Sequence, residues 1–254
     1  MKFLVKLFLM AVAIFCGYVV TSSTYENISV HMKIQNFKEE CTQVDKLNKN
    51  NYKQFYSVSR ENEEPSITYK NGVVKPGAPL DIVLKLDSTY DFPVFHEVVS
   101  FTIGGHAALS TMAYDDGNFS IPAQAMLETT FNDQSKEVFV NTYNYWESLN
   151  FTYSYLVLRV NLTEKQKIDA MNKAVSMLGD PYNVSFIFNT RDTHYCSDLI
   201  MKIFREVGMF LNYDGFVTTI YDLIMSEDTD IVMYKEYNPH SKVESYYGVN
   251  FTDL

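Results

Sequence analysis

The sequence predicts an α+β protein in which a run of strands is followed by helices, preceded by an N-terminal apolar helix. Three observations carry that expectation. Runs rich in β-branched and aromatic residues fill the middle of the chain. The hydrophobic period changes to that of a helix after Val160. Lys2 and Lys6 flank the start of an uncharged apolar stretch over residues 7–20.

That stretch suits the apolar region of a secretory signal and is short for a membrane span, which needs about 20 residues. It lengthens to residues 3–22 if Lys6 snorkels toward headgroups. Thr21-Ser22-Ser23 offers small residues near a cleavage point. A cleaved signal peptide and an uncleaved anchor both stay open. Either exports the remainder, because the positive end stays inside. Phe15 directly before Cys16 argues against lipidation there. Residues 1–24 are therefore read as signal or anchor. Residues 25–72, polar apart from Val30, Ile34 and Phe37 at helical spacing, are read as a stalk or adapter. Residues 73–254 are read as the main domain, with residues 48–51 as a polar linker.

Within that domain the strands fall at 80–86, 98–103, 106–114, 125–131, 138–143 and 153–160. Asp115-Asp116-Gly117-Asn118 forms a turn between the third and the fourth. Thr163 and Gln166 form a capping box for a helix carrying Ile168, Met171, Val175 and Leu178, stopped by Gly179 and Pro181. A second helix begins at Cys196, buries Leu199, Ile200, Ile203 and Phe204, and ends at Gly208. Residues 216–233 carry a last helical segment and a short strand.

Composition narrows the function classes. The chain of 254 residues is 46% hydrophobic, with 19 Tyr and 18 Phe against 10 Gly and 7 Pro, so it can bury a core. A formal charge of −10 with no basic cluster disfavours a nucleic-acid partner. Three cysteines, one of them in the apolar stretch, allow at most one internal bridge, Cys41–Cys196. No H-x-x-x-H, C-x-x-C or calcium-type loop is present, so no metal is expected. There is no G-x-S-x-G elbow and no Gly-rich phosphate loop, and no cofactor is expected.

Two residues can do chemistry together. Cys196 opens a helix, where unpaired N–H groups and the helix dipole favour a thiolate. A buried structural thiol and a bridge to Cys41 are its other readings. His106 follows Gly104-Gly105 and opens an apolar strand, so packing can hold its ring beside a cleft; a strand-end His satisfied by backbone is the plainer reading. Asp115, Asp116 and Glu128 are the acidic candidates for a third member. Glu128 reaches the face of His106 only in a register that sets it opposite Ala108, and a one-residue slip sends it to the other face.

The segments Asp81-Ile82-Val83-Leu84, Gly105-His106-Ala107-Ala108, Glu128, Leu158-Arg159-Val160, Gly179-Asp180-Pro181-Tyr182-Asn183 and Tyr195-Cys196-Ser197-Asp198-Leu199, in that order, resemble the circularly permuted branch of the NlpC-type papain-like hydrolases, the YiiX/YebB-like permuted amidases. There the His strand precedes the Cys helix. The resemblance implies an antiparallel sheet or barrel packed against helices. It also implies a cysteine hydrolase with Cys196, His106 and Glu128 as catalytic residues and Tyr182 and Tyr195 near the substrate. The expected substrate is a peptide, a muropeptide or an acyl amide, with the membrane as partner of the N-terminal segment. A thiol acyltransferase acting on lipid and a tethered non-catalytic binding module are the alternatives. Pro79-Leu80-Asp81 departs from the Gly-Asp with which such domains begin their first strand.

Overall fold

The apolar start and the helical spacing of Val30, Ile34 and Phe37 belong to one element, α1 (Lys2–Glu40). In its first half Phe3, Phe8, Phe15 and Val20 are exposed, whereas Val30, Ile34 and Phe37 join the core. The packed half is pinned at two points. Lys33 Nζ donates to the carbonyls of Ile224 (2.6 Å) and Thr229 (3.2 Å), and Lys38 Nζ pairs with Glu236 at 2.7 Å.

This computed structural model describes residues 2–44, 52–70, 73–86, 104–130, 136–141, 154–185, 191–212, 215 and 217–251. After α1 come β1 (Thr42–Gln43), β2 (Lys53–Val58), β3 (Ile67–Lys70), β4 (Val73–Pro76), β5 (Ile82–Lys85) and β6 (His106–Ser110). A small hairpin of β7 (Tyr114–Asp115) and β8 (Ser120–Ile121) follows, then β9 (Met126–Thr129), β10 (Val138–Asn141) and β11 (Tyr155–Val160). The chain ends with α2 (Glu164–Ser176), α3 (Cys196–Glu206), α4 (Ile220–Met225), β12 (Thr229–Asn238) and β13 (Val243–Val249). Among the described residues one sheet of nine strands runs β1-β2-β13-β12-β11-β5-β6-β9-β10. All its pairs are antiparallel except β2 with β13.

The fold is the expected α+β one. The capping box of α2 is formed by Thr163 and Gln166, and Gly179 takes φ +83° just beyond its end. Central strands β5, β9 and β11 are buried on both faces, Lys85, Glu128 and Thr129 included. The stretch read as a stalk supplies β1 and β2 to the sheet. Its inward residue Phe55 stacks on Tyr246 at 5.1 Å and meets Phe251 edge-on, while Lys53, Gln54 and Tyr56 around it give β2 its polar look. The expected strand at 98–103 and the linker at 48–51 lie outside the described residues.

One buried ion pair fixes the start of β5. Asp81, 2% exposed, accepts from Arg159 Nε and Nη2 at 2.9 and 2.7 Å and from the Ala78 N–H at 2.6 Å. Breaking it would leave a buried charge unpaired, at a cost of about 3–5 kcal/mol. A cavity of about 440 Å³ lined by Glu61, Glu63, Arg159, Lys167 and Asp230 opens here. It sits at the end of β5 away from His106, because the β5–β6 ladder sets Lys85, not Ile82, opposite His106.

Candidate active site

Cys196 is the first residue of α3, following the N-cap Tyr195, whose side chain makes no capping bond. The first N–H groups of such a helix have no intrahelical partner and stabilise negative charge. The start of α3 is tied down around the thiol. Ser197 Oγ donates to the Thr218 carbonyl at 2.8 Å, and Thr218 Oγ1 accepts from Asn212 Nδ2 at 2.9 Å. α3 packs on β6 and β9 through a buried stripe of Leu199, Ile200, Ile203 and Phe204. Cys16, Cys41 and Cys196 are all free thiols, so the bridge reading of Cys196 falls.

His106 opens β6 and is 12% exposed in its side chain. Gly104, two residues earlier, has φ +82°, and a Cβ there would run into Ile220 Cγ1. Only glycine lets the chain come this close to α4 as it enters β6. The β6–β9 ladder pairs Leu109 with Leu127, and continued by one residue it sets Glu128 opposite Ala108. Glu128 therefore shares the face of His106. Its Oε2 lies 2.6 Å from His106 Nε2, and its side chain is 1% exposed. Its Oε1 accepts from Asn141 Nδ2 at 2.7 Å.

The His106 ring also interacts with the Cys196 sulfur. Burial opposes charge on both groups. In His106 the hydrogen bonds to Cys196 and Glu128 outweigh burial and push the ring up to about 10. In Cys196 burial raises the thiol, but the His106 hydrogen bond and charge, with the N–H groups of Ala107 and Ser197, bring it below the ordinary range. The pair thus favours thiolate and imidazolium.

Asp115 and Asp116 are exposed and cap the β7–β8 turn through bonds from the N–H groups of Gly117, Asn118 and Phe119, beyond the end of β6 away from His106. Tyr195 is 3% exposed, and its hydroxyl is hydrogen-bonded to Thr218; burial raises its pKa. Tyr182 is buried and forms a parallel bridge with His194, just ahead of Cys196. Two features went unread. Asn141 on β10 is one. The other is a polar cluster beneath the start of α3: His194 Nε2 lies 3.0 Å from Asp180 Oδ2, its Nδ1 accepts from Lys202 Nζ at 3.2 Å, and Lys202 pairs with Asp198 at 2.7 Å. The Asp198–Lys202 spacing of four residues on one helix was the available signal. No three His, Cys, Asp or Glu side chains among the described residues are grouped to hold a metal.

A helix-borne cysteine that follows its histidine strand in the chain is the permuted arrangement. The family described as permuted papain-like amidase enzyme, YaeF/YiiX, C92 family, matches residues 105–245. The chain belongs to that family. The matched region of this C92 member runs from Gly105, beside His106, through β9, β11 and α3 and into β13. Among solved structures, the crystal structure of metalloprotein YiiX from Escherichia coli O157:H7 is similar at 16% identity and a TM-score of 0.46, covering 61% of this chain and 96% of that one. No curated protein matches the chain.

Proposed function

We propose that the protein is an exported cysteine amidase that cleaves a peptide amide through a thioester on Cys196. The observation that supports it is a thiol at a helix start, hydrogen-bonded to a histidine whose far nitrogen is held by a buried glutamate. The Cys196 thiolate attacks the amide carbon, and the N–H of Cys196 with one further donor holds the oxyanion. His106 gives its proton to the departing amine. It then takes a proton from the water that hydrolyses the thioester, and Glu128 keeps the ring oriented throughout. Tyr182 and Tyr195 shape the wall beside the thiol; the Tyr195 hydroxyl is already engaged by Thr218.

The exposed apolar half of α1 carries a window of mean hydropathy 2.4 with none of it buried, long and apolar enough to cross a membrane. It supports an anchor that keeps the catalytic domain outside the cytoplasm, where cell-wall stem peptides are the substrate. The same anchor favours, as a second reading, an acyl amide presented by lipid. One assay separates them: muropeptides and N-acyl amides in detergent, each with wild type and Cys196→Ser. Muropeptide cleavage by wild type alone supports the first reading, and cleavage confined to acyl amides the second. If neither class is cleaved and iodoacetamide fails to label Cys196 in reduced protein at neutral pH, the amidase reading fails and a binding module takes its place.

A further inference from the structure

We infer that Asn141 is a positioning residue for the Cys196–His106 pair, acting through Glu128; the inference rests on the amidase reading above. The carboxylate of Glu128 is fixed at both oxygens, Oε2 on His106 Nε2 at 2.6 Å and Oε1 on the Asn141 amide at 2.7 Å. A carboxylate held at one oxygen can still rotate about its last torsion, which is broad. Held at both, it presents a fixed lone pair to the ring.

The sheet register builds this contact. β10 pairs with β9 so that Phe139 faces Glu128 and Asn141 faces Met126. Asn141 therefore lies on the same face as Glu128 and diagonal to it, about 7–8 Å between Cα atoms, within reach of an amide side chain. The residue type also fits. An amide donates to the carboxylate, which favours its charged form, and does not titrate itself. An aspartate in its place would set a second buried carboxylate against Glu128, favour protonation of Glu128 and weaken its hold on the imidazolium.

The test reads the thiol directly and needs no substrate. The rate of iodoacetamide alkylation of Cys196, resolved from Cys16 and Cys41 by peptide mass spectrometry, is followed against pH in the full-length protein. The variants are Asn141→Ala, Asn141→Asp, Glu128→Ala, His106→Ala and the double variant Asn141→Ala/Glu128→Ala. Asn141→Ala is expected to lower the alkaline limit of the ion pair by about half a pH unit or more, and Asn141→Asp to lower it further. In the Glu128→Ala background Asn141→Ala should change the rate less than about twofold, since the two residues act as one unit. An unchanged profile in both Asn141 variants, or an effect that persists undiminished without Glu128, overturns the inference. His106→Ala keeps the two levels apart: if it too leaves the profile unchanged, the amidase reading falls with it, and if it alters the profile, only the role of Asn141 is lost.

Discussion

His106 and His194 both face a carboxylate, and the difference between them lies at the second ring nitrogen. His106 has Glu128 on Nε2 and a thiol on the other side. His194, 1% exposed and close to Cys196 in the chain, has Asp180 on Nε2 and the Lys202 ammonium on Nδ1. An ammonium can only donate, so Nδ1 of His194 is an acceptor and Nε2 carries the hydrogen for Asp180. Asp198 Oδ2 also lies 3.7 Å from its Nδ1, so that ring sits among charged side chains. Around His106 the proposed mechanism has the thiol give up a proton. A histidine–carboxylate pair is thus a proton device or a structural pin according to what sits on its far side.

Exchanging the roles by mutation gives the largest expected effect. His106→Ala should lower amidase kcat by about 10³-fold or more, because it removes the proton carrier of both half-reactions, and should cost about 3 kcal/mol of stability by stranding the buried Glu128. His194→Ala should cost about 2 kcal/mol of stability by removing a buried ring and its contacts to Asp180 and Lys202, with a far smaller fall in kcat. Denaturant unfolding paired with kinetics reads both. A drop in kcat for His194→Ala equal to that for His106→Ala would erase the distinction.

The pH profile sharpens it further. Glu128 stabilises the imidazolium form of His106, so the thiolate–imidazolium pair persists as pH rises until the ring loses its proton. Glu128→Gln removes that charge, and the alkaline limb of kcat/KM should move to lower pH by about one unit. Asp180→Asn, the matching change at His194, should leave the limb in place. The smallest expected effect on the thiol belongs to Lys202→Met. It leaves Asp198 uncompensated and lowers stability by about 3 kcal/mol, but shifts the neutral-pH alkylation rate of Cys196 by less than about fivefold.

Local chemistry made much of this legible. The capping box of α2 is a short-range pattern, and Cys196 at a helix start followed from the periodicity of Leu199, Ile200, Ile203 and Phe204. Gly104-Gly105 ahead of His106 was visible as a pair of glycines, but that Ile220 packs onto Gly104 was not. The Glu128 geometry was available only as one of two registers, since a strand sequence alone does not say which neighbour it pairs with. Asn141 left no trace, because a single polar residue at the end of a short strand has no periodicity. The Asp180–His194 contact depends on the bridge that brings Tyr182 beside His194, a tertiary event with no local signature. β2 was hidden for a similar reason: its inward side chains find their partners in β13, at the far end of the chain.

α1 passes without interruption from exposed apolar turns to turns buried in the domain. Such a helix is a shaft, and it transmits angle as well as position. Each residue added within its exposed half would advance the domain by about 1.5 Å and swing it by about 100° around the axis. Whatever grips the apolar turns therefore sets the compass bearing of Cys196, and a run of single-residue insertions would steer it around a circle while leaving its chemistry untouched.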